Sequence, residues 1–170
     1  AAGGSQPYSW QVTAGSLPPG INLDPAGGVL SGTPTSAGNY TFTIKVSDNT
    51  NDFTLKEFTM AVEGSPTATT NPVSSISGTT ATLNGLVNPQ NLLTAVSFCY
   101  GTNANFSNCT QVVSPQSPLA AGTSNASVSA SIQGLTPGTT YYVRVDASNN
   151  AGSTLGSALS FTTPAPPAVT

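Results

Sequence analysis

Histidine is absent from this chain, and charge nearly so. Three Lys/Arg and six Asp/Glu make 5% of 170 residues, against about 25% in ordinary soluble proteins. Without histidine a serine triad has no base, and zinc loses its usual nitrogen ligand. The three cations, Lys45, Lys56 and Arg144, are too few and too scattered for a nucleic-acid groove or a polybasic membrane patch. Apolar runs are only a few residues long, which excludes a transmembrane helix. No stretch reads as a signal peptide, and Ala1 reads as a mature or trimmed N-terminus.

Helical periodicity is missing too, and the pattern that replaces it has period two. Tyr40, Phe42, Ile44 and Val46 point one way, with Thr41, Thr43, Lys45 and Ser47 the other, as in a strand with one face buried. Seventeen glycines and fourteen prolines fall between such runs, where turns belong. The fold class is all-β. Phe53 and Leu55 share one parity and Phe58, Met60 and Val62 the other, so burying both sets predicts a β-bulge near Lys56–Glu57.

Residues 1–63 form a first module, starting with a strand over Tyr8–Thr13 that carries Trp10. Residues 64–66 read as a linker, 67–163 as a second module and 164–170 as a Pro-rich tail. The second module offers strands near 79–87, 95–100, 110–114, 126–132, 140–148 and 158–163, a spacing that suits a Greek-key sandwich. In the strand from 140, Tyr141, Val143, Val145 and Ala147 face inward.

Two stretches carry family patterns. PYSWQVTAGSLPPGINLDPAGGVLSGTPTSAGNYTFTIKVSD, opening at Pro7, resembles the putative Ig (cadherin-like, dystroglycan-type) domains, and the likeness extends over 7–63. TTATLNGLVNP, FCYGT and GLTPGTTYYVRVDASNNAGSTLGSALSFTT, within 66–163, resemble a bacterial fibronectin type III domain. The resemblance implies two Ig-like β-sandwiches in tandem, with Trp10 and Tyr40 as core packing. It also implies that Tyr141 is a tyrosine corner, bonded back to nearby backbone. SNNAGSTLG stands where some animal fibronectin modules carry an integrin-binding RGD, which is lacking here. Members of the first family carry about two further strands before the PYxW element, so the first module is expected to lack its usual N-terminal strands and to expose a sheet edge. Two explanations stand: the chain is a fragment of a longer repeat array, or a neighbouring subunit supplies the missing strand, with Ala165–Thr170 as a candidate to lie against the open edge.

Few residues suggest chemistry. Cys99 and Cys109 flank one loop and are expected to form a hairpin disulfide, with Cys99 pointing outward. Asp48 and Asp52 in DNTND are weak calcium candidates, because EF-hand spacing fails and a self-bonded turn explains them. Tyr100, Phe106 and Tyr142 are expected to be exposed singly. Asn39, Asn105, Asn108 and Asn125 sit in N-x-S/T sequons, hence candidate glycosylation sites. No catalytic residue, cofactor or metal site is expected. The function expected is that of a non-catalytic structural or adhesive module, secreted or on a cell surface, associating with itself or with neighbouring repeats. One version is a filament subunit completed by strand exchange. The alternative is a carbohydrate-associated accessory module of a secreted polysaccharide-active enzyme.

Overall fold

The computed structural model describes residues 3–167. The chain divides between Glu63 and Gly64 into two compact units.

Unit 1 contains β1 (Ser9–Gly15), β2 (Ile21–Leu23), β3 (Leu30–Gly32), β4 (Gly38–Ser47) and β5 (Phe53–Val62). Three strands form an antiparallel sheet in the order β1-β4-β5, and β2 and β3 make a separate hairpin. Asp24 builds the hairpin turn, its carboxylate accepting the N–H groups of Ala26 at 3.0 Å and Gly27 at 3.1 Å. Gly28 follows with φ +68° beneath the Trp10 indole, and a Cβ there would fall 2.4 Å from a ring carbon. The interior is thin. Phe42, Ile44 and Pro18 are the buried apolar side chains among the described residues of this unit, while Trp10 and Tyr40 are half-buried.

The expected bulge near Lys56–Glu57 does not occur. β4 and β5 pair without a shift from Gly38↔Val62 to Ser47↔Phe53. The alternation from Phe53 to Val62 therefore places Phe58 and Met60 on the face of Phe42, and Phe53 and Leu55 on the opposite face. A bulge would have been needed only if one interior claimed all these side chains. β5 is largely exposed on both faces, and Lys45 shields Phe53 instead, its Nζ 4.4 Å from the ring centroid. The irregularity of this sheet lies in β1, between Val12 and Ala14.

Unit 2 contains β6 (Thr67–Ser74), β7 (Thr80–Asn88), β8 (Ala95–Gly101), β9 (Thr110–Val113), β10 (Ala126–Gln133), β11 (Thr140–Asn149), β12 (Gly152–Leu155) and β13 (Leu159–Thr162). One sheet runs β10-β7-β6; the other runs β12-β11-β8-β9, with β13 also on β11. Inward-facing residues of both sheets fill one core around Leu83, Val87, Phe98, Val143 and Val145, each with no exposed surface. β12 and β13 share the same edge of β11, one opposite Asp146–Asn149 and the other opposite Thr140–Val143. Where they part, the Val145 N–H donates to Thr70 Oγ1 at 3.1 Å, and Val145 O accepts from Gly156 N at 2.8 Å. One side-chain hydroxyl and one backbone N–H thus replace a missing stretch of ladder.

One expectation changes here. Gly64–Pro66 is not a free linker: Gly64 O accepts from Asn149 Nδ2, Ser65 Oγ donates to Ala151 O, and Pro66 is buried. SNNAGSTLG forms a tight hairpin, because Gly152–Leu155 pairs with β11. Asn149 Oδ1 accepts the Ala151 and Gly152 N–H groups across the turn.

Candidate functional site

Cys99 and Cys109 form a disulfide. Cys99 sits on the outer face of its sheet, opposite Gln111 and Arg144, yet has no exposed surface. The loop it closes folds back over that face: Phe106 lies under the Arg144 guanidinium, 4.6 Å away. Tyr100, Phe106 and Tyr142, expected to be exposed, are half-buried. The chain-entropy argument gives a loop of this size roughly 3 kcal/mol. Replacing both cysteines by serine is expected to lower the unfolding free energy of unit 2 by about that amount, read from urea denaturation followed by tyrosine fluorescence. Unchanged midpoints would remove the disulfide from the stability of this unit.

Asp48 is committed to its own turn. Oδ1 accepts from Thr50 N at 2.8 Å, Thr50 Oγ1 at 2.8 Å and Asp52 N at 3.1 Å, and Oδ2 accepts from Ser5 N at 2.9 Å. A carboxylate has about four lone-pair positions; three donors crowd Oδ1 and one sits on Oδ2, the pattern of a side chain that builds its own turn. The Ser5 N–H, followed by the Thr50 hydroxyl, holds its pKa below the ordinary value. Because the folded-state value is the lower one, Asp48 stabilises unit 1 above the unfolded pKa. That contribution disappears as pH falls through the carboxylate range. Acid titration is expected to lower the denaturation midpoint of unit 1, and Asp48→Asn to flatten that dependence. An undiminished acid slope in the variant would assign the effect elsewhere.

Asp146 behaves oppositely. Burial raises its pKa against the attraction of Arg144, whose Nε donates to Oδ1 at 3.0 Å. Two depressions contain carboxylates: one of about 230 Å³ with Asp48 and Asp52, and one of about 310 Å³ with Asp146. No group of three His, Cys, Asp or Glu able to hold a metal occurs among the described residues.

The Trp10 indole lies against Gly28 while its backbone N–H donates to Pro25 O at 2.8 Å, and Tyr40 Oη donates to Ser36 O at 3.1 Å. Tyr141 Oη accepts the Thr136 N–H at 3.0 Å while its ring stacks on Phe161. Asn39, Asn105, Asn108 and Asn125 are all exposed. Ala165, a proposed donor to a neighbour, is close enough to Gly138 that a Cβ there would be 3.6 Å from its own Cβ; Ala168–Thr170 lie outside the described residues.

The candidate site is the outer edge of β5. Along Phe53–Ala61 it pairs with no strand among the described residues, since the sheet ends there. The other edge is obstructed: β1 is bulged, and its Trp10 N–H is already bonded to Pro25. On β5, Phe53 is 60%, Leu55 53% and Phe58 38% exposed. Phe58 stacks on Phe42 at 5.9 Å, and Lys56 Nζ lies 5.3 Å from its ring centroid. A regular ten-residue edge with exposed apolar side chains is a template for adding a strand. The sequence signal was the alternation itself, obscured by assuming that all apolar residues of β5 had to be buried.

No curated protein matches. Among solved structures, the chain is similar to the sensor domain of the anti-sigma factor RsgI4 of Pseudobacteroides cellulosolvens. The long form is 24% identical with a TM-score of 0.42, the alignment covering 62% of this chain and 95% of that one. The short form is 25% identical with a TM-score of 0.44, covering 62% and 99%. The chain is also similar to the FN1–FN3 domains of chicken CNTN1, at 16% identity and a TM-score of 0.42, covering 93% of this chain and 57% of that one. Residues 1–63 match the family model described as a putative Ig domain.

Proposed function

We propose that the chain is a non-catalytic structural or adhesive module of a secreted or surface-displayed bacterial protein. It joins its neighbours by addition of β-structure to unit 1, in the manner of a filament subunit completed by strand exchange. The observation that carries this reading is the open β5 edge with Phe53, Leu55 and Phe58 in solvent, beside an interior holding three buried apolar side chains among the described residues. Added structure would cover apolar surface and satisfy the backbone groups of the edge together. The disulfide suits an oxidising, extracellular setting. Arg144 and Asp146, which pair with each other, are the only Lys, Arg, Asp or Glu residues in the sequence of unit 2, so its surface is hydroxyl- and amide-rich and offers little to charged partners. The carbohydrate-associated reading is weaker: Phe53 and Phe58, the exposed rings, lie on opposite faces of β5 and make no stacking row.

Light scattering on the size-fractionated chain, with electron microscopy of the same material, tests the proposal. Concentration-dependent self-association is expected. A monodisperse monomer throughout the micromolar range would sink it, and retention on insoluble glycans without self-association would favour the alternative.

A further inference from the structure

We infer that the partner of β5 is β5 of a second copy, paired antiparallel across a two-fold axis that passes through Phe58. The inference rests on the reading of unit 1 as an associating module and specifies its partner and register. An antiparallel pair sets residues of the same face opposite one another. In a two-fold pair of identical strands, the residue on the axis therefore faces itself. Even-numbered residues of β5 share the Phe42 face, and odd-numbered ones the other.

Charge then selects the register. An axis at Glu57 gives the longest overlap of Phe53–Ala61 but sets Glu57 against Glu57. An axis at Lys56 sets Lys56 against Lys56. Like charges directly opposite are destabilising. An axis at Thr59 avoids both clashes but shortens the overlap to Glu57–Ala61, and one at Leu55 shortens it to Phe53–Glu57. The axis at Phe58 retains Leu55–Ala61 with no like charges opposed. It puts Phe58 against Phe58, Lys56 against Met60, Glu57 against Thr59 and Leu55 against Ala61. The two exposed Phe58 rings cover each other, and each exposed Leu55 gains an apolar neighbour. Lys56 and Glu57, which would block pairing in adjacent registers, permit this one. The contact is isologous and closes at two copies, so a filament would require a second interface.

Two experiments on the 170-residue chain test this. Leu55→Cys combined with Ala61→Cys places two thiols about 20 Å apart within one strand, beyond disulfide reach. Across the inferred axis they stand opposite, and mild oxidation is expected to give covalent dimer. Leu55→Cys with Thr59→Cys samples the Glu57-centred register and is expected to cross-link poorly. Thr59 is exposed and faces Glu57 of the second copy in this register. Thr59→Lys is therefore expected to tighten the dimer and Thr59→Glu to weaken it, each by roughly two- to thirty-fold over the two symmetric pairs. No 55–61 cross-link, or equal dimerisation by the two Thr59 variants, would overturn the inference. Polymers without the 55–61 cross-link would overturn it and leave strand exchange standing. Dimers that cross-link and grow no further would uphold it and remove the filament.

Discussion

Phe42→Ala is expected to leave unit 1 largely unfolded at 25 °C while unit 2 stays folded. Phe42 is 2% exposed at the centre of β4 and stacks on Phe58. Truncating a buried phenylalanine to alanine costs about 3–5 kcal/mol. A unit of this size rarely has more than about 3–5 kcal/mol in all from a single core. Unit 1 has little to offset the loss, because Ile44 and Pro18 are the other buried apolar side chains among its described residues. The assay is built in: Trp10 is the only tryptophan, and it packs over Gly28 within unit 1. Its emission should shift to that of a solvated indole in the variant, while the tyrosine-reported transition of unit 2 stays in place. Measurements belong at low protein concentration, since a bound second copy would stabilise unit 1 by mass action. Ile44→Val, expected to cost only about 0.5–1.5 kcal/mol, serves as the mild comparison. Native Trp10 emission in Phe42→Ala would mean that unit 1 does not depend on the core described for it.

The sequence was most legible where large apolar side chains alternate. The strand from 140 has Tyr141, Val143, Val145 and Ala147 buried in order, and the strands near 79–87, 95–100 and 126–132 lie within a residue or two of β7, β8 and β10. Two strands of unit 2 gave no such signal. β6 is TATTNPVS, whose inward positions carry Ala68, Thr70 and, where the register shifts, Val73, so period two is broken along it. β12 is GSTL, held by its turn and by β11 more than by its own side chains. Cys99 was assigned to the correct face, but its burial comes from the loop bearing Phe106, a covering that alternation cannot report. At the candidate site the difficulty was reversed. Alternation along β5 was plain, but the premise that apolar residues must face one interior led to a bulge. A strand exposed on both faces need not satisfy that premise.

Gly156→Ala is expected to lower the stability of unit 2 by about 2–5 kcal/mol, combining overpacking with a buried donor left unpaired. A Cβ on Gly156 would fall 2.4 Å from Thr70 Oγ1, 2.8 Å from Val145 Cγ1 and 2.9 Å from Thr70 N. Two of these neighbours cannot give way: one is backbone, and the other belongs to Val145, which has no exposed surface. The Thr70 side chain must yield, and its hydroxyl is the partner of the Val145 N–H at the gap between β12 and β13. Thr70→Val separates the two effects. It preserves shape and removes only the acceptor, so it should lose about 1–3 kcal/mol for the orphaned N–H. Thr70→Ser keeps the acceptor and should lose less. Amide exchange supplies a readout that overpacking alone would not move: the Val145 N–H should lose protection in Gly156→Ala and Thr70→Val but keep it in Thr70→Ser. If Gly156→Ala were as stable as the parent and Val145 remained protected in all three, the hydroxyl would not be what closes the sheet at that point.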